Sequence, residues 1–494
     1  MKTIYSILIA SCFIFTFAHA QNETDALRYS QNFYGGTARS LSMGGAFGAL
    51  GGDFTSASMN PAGIGVYRST ELTLTPTLLY DNTSSNYLGT TREDNQYRFM
   101  FNNLGFVHSI LSGKDEGWVS VTFGLGYNQL NNFNRNTSMK GIMEIGGPNS
   151  SSLLDNFTNY ANDTPGAMSD QGLLDPFYEG LAWETYMLER DTLGFWNEIW
   201  NQYHGQSQQR RILESGGITE YAISIGANYS NKLYVGATFG IHRLRYTSEV
   251  SHREWDHDNS MEYFNAFTFR ELLETNGTGY TFKAGVIFRP ISLIRIGAAF
   301  HLPTFYKINE DFSTDMTSSV DPGYELPVDS WQSPNNEFDY WLRTPYKAIG
   351  SVAVQLGRLA IVSADYEFMD YRDANMDSRS TDYDLLDQND RIKNIYSAAH
   401  NIRTGAELHL GPMYFRGGAS FYDSPYKSNE INKEAWHITV NGGLGFRSQK
   451  VFFDIAYARR VNDYQYFLYI PEDVTGAEIS TSNQQIAATL GFKF

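Results

Sequence analysis

Large apolar residues alternate one by one with small or polar ones along stretch after stretch of this 494-residue chain, and a period of two admits only strands with unlike faces. Val119, Val121, Phe123, Leu125 and Tyr127 alternate with Ser120, Thr122, Gly124, Gly126 and Asn128, and the run from Trp436 to Arg447 repeats the pattern. Such segments lie near 69–82, 95–110, 117–130, 217–230, 232–249, 278–290, 292–306, 342–357, 358–372, 398–410, 412–426, 434–448, 450–463 and 481–494. Their connections alternate in length. Ser230-Asn231, Arg289-Pro290-Ile291, Gly357-Arg358, Gly411-Pro412 and Ser448-Gln449 read as tight turns, whereas 131–216, 250–277, 307–341, 373–397 and 464–480 read as long loops. A secreted β-sandwich has no use for that regularity. A membrane barrel does, with short turns at one end, long loops at the other and an even strand count. The expected fold is all-β, a transmembrane antiparallel β-barrel of about 14 strands.

Composition agrees with a lipid-facing exterior around a polar interior: 15% of residues are aromatic, yet mean hydropathy is −0.37. No run after the N-terminus reaches the roughly 18 apolar residues of a spanning helix, so a membrane location must come from strands. Lys2, the apolar run from Ile4 to Phe17 and Ala18-His19-Ala20 read as a signal peptide over 1–20, cleaved before Gln21. Ile9-Ala10-Ser11-Cys12 offers a second reading, a lipobox that would acylate Cys12. Cleavage at Ala20 removes the single cysteine and with it disulfides, thiolate catalysis and cysteine-bound metals. A net charge of −17 argues against nucleic acid as a partner. The last strand sets Ile486, Ala488, Leu490, Phe492 and Phe494 on one face, and a chain ending on the aromatic Phe494 resembles the signal read by the outer-membrane assembly machinery.

Residues 35–67 stand apart. They are crowded with Gly, Ala and Ser and have neither a helical period nor alternation, so they call for a compact coil enclosed by something else. Within them, Arg39 to Gly45 followed by Ser56-Ala57-Ser58-Met59-Asn60-Pro61-Ala62-Gly63 resembles the N-terminal hatch of the FadL/TodX family of outer-membrane channels for hydrophobic compounds. The resemblance covers essentially all of the chain after residue 20. It implies a hatch over 21–67, with Arg39, Gly44, Gly45, Asn60, Pro61 and Ala62 as its defining residues, and an integral outer-membrane barrel over 68–494. It also implies passive uptake of long-chain fatty acids or other hydrophobic small molecules, with outer-membrane lipid as surroundings. In that family the third strand is distorted beside the hatch; Gly124 and Gly126 either mark such a kink here or are small residues that make room for the plug. Residues 21–34, being polar, are expected to lie loosely ahead of the hatch.

Loop 131–216 carries more apolar residues than a solvated loop needs: Trp183, Phe195, Trp196 and Trp200 among them, in short amphipathic helices. They form either a self-packed lid or an apolar landing groove for ligand. Phe267, in the second long loop, would share that task. Family channels gather ligand at such a groove, although their helical loop follows the fifth strand and the largest here follows the third. Inward-facing basic residues, Lys283, Lys347, Arg403 and Arg416 first among them and Arg295, Arg447 and Arg460 after, either pair with Asp365, Glu367, Glu407 and Asp454 or receive a ligand carboxylate. No nucleophile elbow, zinc-protease or nucleotide-binding motif is present, so the chain does not read as an enzyme and no cofactor or metal is expected. The acidic run from Asp382 to Asp390 and the Asp256-His257-Asp258 cluster read as solvated loops. Two rival readings stay open: a haem receptor of the same architecture using His242, His301, His409 or His437, and an outer-membrane enzyme acting on lipid.

Overall fold

The structure, a computed structural model, describes residues 22–143, 151–197, 199, 205–320, 325–379, 384–471 and 473–494. The expected signal peptide over 1–20 with Cys12, and Trp200 and Asp382, lie outside the described residues. Fourteen strands close into one antiparallel barrel. They are β1 Glu71–Tyr87, β2 Thr90–Leu111, β3 Trp118–Asn132 (continued by Arg135–Ile142), β4 Ser207–Tyr229, β5 Leu233–Trp255 and β6 Phe264–Ile291. After these come β7 Ile294–His301 (continued by Phe305–Val320), β8 Asn336–Arg343 (continued by Lys347–Leu356), β9 Ala360–Asp370 and β10 Ala398–Leu410. The last are β11 Met413–Tyr422, β12 His437–Arg447, β13 Val451–Tyr466 and β14 Ala477–Lys493. The last strand pairs with the first from Glu71↔Lys493 to Asn86↔Glu478, which leaves the sheet without edges. Outward positions such as Leu125, Ile223, Val362, Val440 and Phe446 are exposed, while their neighbours Thr122, Ser224, Ser363 and Asn441 are buried. An apolar belt around a polar interior is what hydrocarbon selects.

Four of the tight turns fall where the sequence puts them, whereas Arg289-Pro290-Ile291 continues β6 and the turn there is Ser292-Leu293; the turn conformations explain the residues. Ser230 and Asn231 both have positive φ (50° and 56°), and Gly357 and Gly411 occupy the same left-handed region. The long loops are much shorter than the sequence suggests. β5 and β6 stay paired from Leu233↔Phe288 to Trp255↔Ala266, so most of 250–277 is strand and Phe267 sits on β6. In the same way 307–320, 131–132, 135–142 and 207–216 extend barrel strands. Above the lipid band the ladder still satisfies the backbone while nothing demands apolar alternation, so the pattern fades before the strand does. Between β1 and β2 the outer connection is only Leu88 and Gly89, both at positive φ. Pro303 and Pro345 interrupt β7 and β8 at one level, where neither can donate to a ladder; Thr344 N–H to Thr304 O (3.0 Å) bridges the gap.

The N-terminal segment fills the barrel. Its helices are α1 Glu23–Ser30, α2 Ala38–Ser42 and α3 Ser56–Met59, followed by a 3₁₀ turn Pro61–Val66. Residues 22–34 are not loose. Asn22 and Asp25 form a capping box, and Ala26, Leu27 and Tyr29 pack in a cluster with Ile218, Leu244, Tyr306 and Ile308 of the wall. Polarity misleads here because the polar residues cap α1 while only a few apolar ones are needed to seat one short helix. Outside, α4 Leu153–Asp163 and α5 Glu179–Glu184 stand over β6 and β7, and α6 Leu386–Ile395 stands over α1, with Arg391 paired to Glu23 at 2.8 Å.

A candidate ligand chamber above a seated plug

Glycines in the wall let the plug backbone touch the barrel. A side chain at Gly236 would fall 2.2 Å from Pro61 O, and one at Gly226 would fall 2.3 Å from Gly65 N. Asn60 is the staple between them. Its side-chain nitrogen donates to Gly48 O (2.6 Å) and Val286 O (3.3 Å), and its oxygen accepts from Ala62 N (3.1 Å), capping the 3₁₀ turn that Pro61 begins. On the far side Gly44 and Gly45 take positive φ (64° and 71°), which brings Gly44 against the backbone of Thr404 and Ala419.

Carboxylates of the wall complete the seat. Arg39 of α2 holds Glu407 through Nε (3.0 Å) and Nη2 (3.2 Å). Glu407 also meets Arg416 Nε (2.5 Å), and Arg416 reaches Asp454 (2.6 Å). Asp365 accepts from Gly48 N–H (2.9 Å), Arg403 pairs with Glu367 (3.0 Å), and Lys283 bonds Glu220 (2.5 Å) and Ser58 O (3.2 Å). Lys347 meets the Asn32 amide oxygen and faces the Tyr34 ring. Three of these four wall cations thus have carboxylate partners, and Lys283 and Lys347 also touch the plug. Removing one member of a buried pair typically costs about 3–5 kcal/mol.

The ladder runs unbroken through Gly124 and Gly126, which corrects the expected kink. Gly124 pairs with Val107 and Ser224, and Gly126 with Gly105 and Ala222. The glycines make room instead: a side chain at Gly126 or Gly105 would strike Phe54 of the plug at 2.8 and 2.4 Å. The irregularity lies higher. β2 bulges at Asn102, opposite Thr75 and Pro76, and its pairing with β3 ends at Asn103↔Asn128. Beyond that point the plug takes over, because Phe33 N–H donates to Leu130 O (2.7 Å) and Gly35 N–H to Gln129 O (3.0 Å).

Above the plug lies a chamber of about 540 Å³, lined by α1 and the upper strands. Four guanidiniums face it. Arg28 pairs with Asp25 and lies over the Tyr246 ring, Arg210 pairs with Glu271 (2.9 Å) and Leu468 O (2.6 Å), and Arg135 stands 3.8 Å from Asp81. Arg460 differs. It has neither hydrogen bond nor ion pair among the described residues and lies 3.9 Å from the centroid of the Phe33 ring. Inward orientation was legible in the sequence, but nothing there separates Arg460 from Arg416, because pairing depends on what the register places opposite.

The roof is a lid built from residues 151–197 and 199. Leu153, Leu154, Phe157, Leu181, Met187, Phe195 and Ile199 pack on Phe264, Phe267 and Phe269 of β6. Phe195 and Phe267 are buried; Trp183 is half-buried, edge-on to Phe195 at 5.7 Å, and Trp196 is half-buried. Glu254 anchors α4 by accepting from Ser152 Oγ (2.7 Å) and Leu153 N–H (2.8 Å), and Tyr178 reaches the chamber. Burial pushes the Asp155 carboxyl, in the capping box of α4, up to about 6.

No family model and no curated protein matches the sequence. Solved structures do match. A FadL homologue of Pseudomonas aeruginosa aligns at TM-score 0.53 and 13% identity, covering 94% of this chain and all of that one. The toluene transporter TodX of Pseudomonas putida aligns at 0.54 and 11%, covering 94% and 99%. The chain has the FadL/TodX barrel fold. The toluene transporter TbuX of Ralstonia pickettii aligns over the same span at 0.50 and 13%. At these identities the likeness extends to the path of the chain alone.

Proposed function

We propose that the protein is an outer-membrane channel through which hydrophobic or amphipathic small molecules, long-chain fatty acids foremost, cross by diffusion. The observation that carries this reading is a closed barrel with an apolar belt whose lumen holds a seated plug below a chamber. Trp183, Trp196 and the exposed Leu173 and Leu193 of the lid would receive cargo from outside. Each methylene buried there contributes about 0.8 kcal/mol, so a long chain needs only one ion pair to orient it. The FadL homologue and the toluene transporters TodX and TbuX support this class of cargo by their fold alone.

The haem reading is the weaker one. His242 is tied to Tyr306 (2.7 Å), His301 to Met59 O (2.7 Å) and His409 to Glu407 (2.7 Å), so three of its candidate ligands already serve structural bonds. The lipid-enzyme reading has one Ser, Glu and His contact, Ser152, Glu254 and His252, but there the serine donates to the glutamate that anchors α4, and all three are buried. Extraction and mass spectrometry of molecules that copurify with the folded protein test the proposal. Fatty acids or similar amphiphiles are expected; haem alone would overturn it.

A further inference from the structure

On β5–β8 the outward-facing charges are sorted by height. The apolar belt ends there in one row across the strands: Ile241 pairs with Tyr280, Tyr280 with Phe305, and Phe305 with Arg343. Tyr280 to Phe288 is about nine residues, the length of tilted strand that spans hydrocarbon, so this aromatic row marks the upper edge of the lipid. The next outward row carries Arg243, Thr278, Lys307 and Trp341, and the one beyond it Arg245, Asn276, Asn309 and Asp339. Acid prevails only in the row after that, with Glu274, Asp311 and Glu337. Arg379 adds a cation by lying over the Trp341 ring at 4.2 Å. We propose that this band of cations binds the phosphate of an outer-leaflet glycolipid, which makes β5–β8 a lipid-docking face of the barrel. The inference rests on the outer-membrane location and is independent of what the channel carries.

These cations are available to a ligand. Arg243 and Arg245 are exposed and have neither side-chain hydrogen bond nor ion pair among the described residues. Lys307 stands 3.9 Å from Asp339, but both side chains are 60% exposed and water screens the pair. Strands lie about 4.8 Å apart, so Arg243 and Lys307 flank Thr278 at about 10 Å from each other, and Arg245 follows Arg243 at about 7 Å. A guanidinium bonds phosphate through two N–H groups at once, and Thr278 and Asn276 supply further donors between the cations. The phosphate is lipid-borne because Tyr280 and Phe305, exposed directly below, offer acyl chains an apolar surface that a free ion cannot use. Charge points the same way. The chain carries −17 overall and is repelled by an anionic leaflet, and this face reverses the sign at the level where head groups lie. Across the barrel the pattern is missing: above Tyr80 and Gln484, β1 and β14 turn outward only Asn82, Ser84 and Ser482, and Arg459 of β13 is tied to Ser482 Oγ (3.0 Å).

The test titrates the full chain in detergent with phosphorylated lipid A, lipid A stripped of its phosphate, and phosphatidylglycerol, and reads bound lipid by native mass spectrometry. Wild type should retain phosphorylated lipid A over both others, with a preference that weakens as salt is raised. The combined variant Arg243→Gln, Arg245→Gln and Lys307→Gln, checked for heat-modifiable mobility, should lower that affinity about tenfold or more. Arg459→Gln, across the barrel, should leave it unchanged, and Arg243→Lys with Arg245→Lys should keep part of it. Wild type that binds the phosphate-free lipid equally well, or a folded triple variant with wild-type affinity, overturns the site. Equal retention of phosphatidylglycerol shows that the face takes any anionic lipid and overturns the glycolipid as its occupant.

Discussion

Asn60 concentrates the chemistry that seats the plug. Its nitrogen is the donor for Gly48 O and Val286 O, and leaving buried carbonyls without a donor costs about 1–3 kcal/mol apiece. Asn60→Leu should therefore lower the temperature of heat modification and impair uptake while surface loops stay correctly exposed to antibody or label. Unchanged uptake would show that the staple is dispensable. Gly236→Val should act from the wall side, because a Cβ there meets the Pro61 carbonyl, and it should raise single-channel conductance by unseating the plug. At this scale the sequence was partly legible. Asn60-Pro61-Ala62 announces a turn through the chemistry of its own residues, and it is found making one. Arg460 and Phe33 announce nothing, since their meaning comes from each other across more than four hundred positions of sequence. Gly124 and Gly126 mark a real demand for space, but a glycine in a strand signals a bulge and a close neighbour in the same way, and only the position of Phe54 separates the two.

At the scale of elements, strands could be read wherever lipid imposes alternation and were lost where it does not. β14 was visible through Ile486, Leu490 and Phe492, all exposed, whereas the upper half of β6 was hidden because its inward Phe267 and Phe269 serve the lid rather than a lumen. Helix α1 was missed because Asn22, Glu23 and Asp25 read as a polar tail until their capping role is seen. The lid carries a prediction about pH. The folded Asp155 carboxyl titrates near 6, above the ordinary aspartate value, so its contribution to stability is fully present below about pH 4 and lost as pH rises through 6. Proteolysis within 143–206, normalised to an unfolded substrate, should be slower at pH 5 than at pH 8. Asp155→Asn should remove that difference, and a difference that survives would assign it to another group.

The whole molecule is a stack of three layers in one barrel: a lid packed on β6, a chamber whose Arg460 has no direct ion pair among the described residues, and a plug clamped by Arg39, Glu407, Arg416 and Asp454. The closed ladder makes the wall stiff, so movement falls to the plug, whose rim rests on hydrogen bonds and glycine contacts rather than on a continuous apolar core. Glu407→Gln should loosen it. The variant keeps the side chain's size but gives up charge on Arg39 and Arg416 together, so it should show more frequent openings in a planar bilayer than wild type, and identical traces would mean the clamp does not hold the plug. The central claim, that this barrel conducts hydrophobic or amphipathic molecules through a plugged lumen, is met most directly by flux of a fluorescent long-chain fatty acid into liposomes containing the purified protein. The account predicts saturable flux that exceeds protein-free liposomes and is lost when the plug is cross-linked to the wall by a disulfide between Ala38→Cys and Thr489→Cys, whose backbone and side chain already meet at 2.7 Å, and regained on reduction. Flux equal to that of empty liposomes, or flux indifferent to the cross-link, would contradict it.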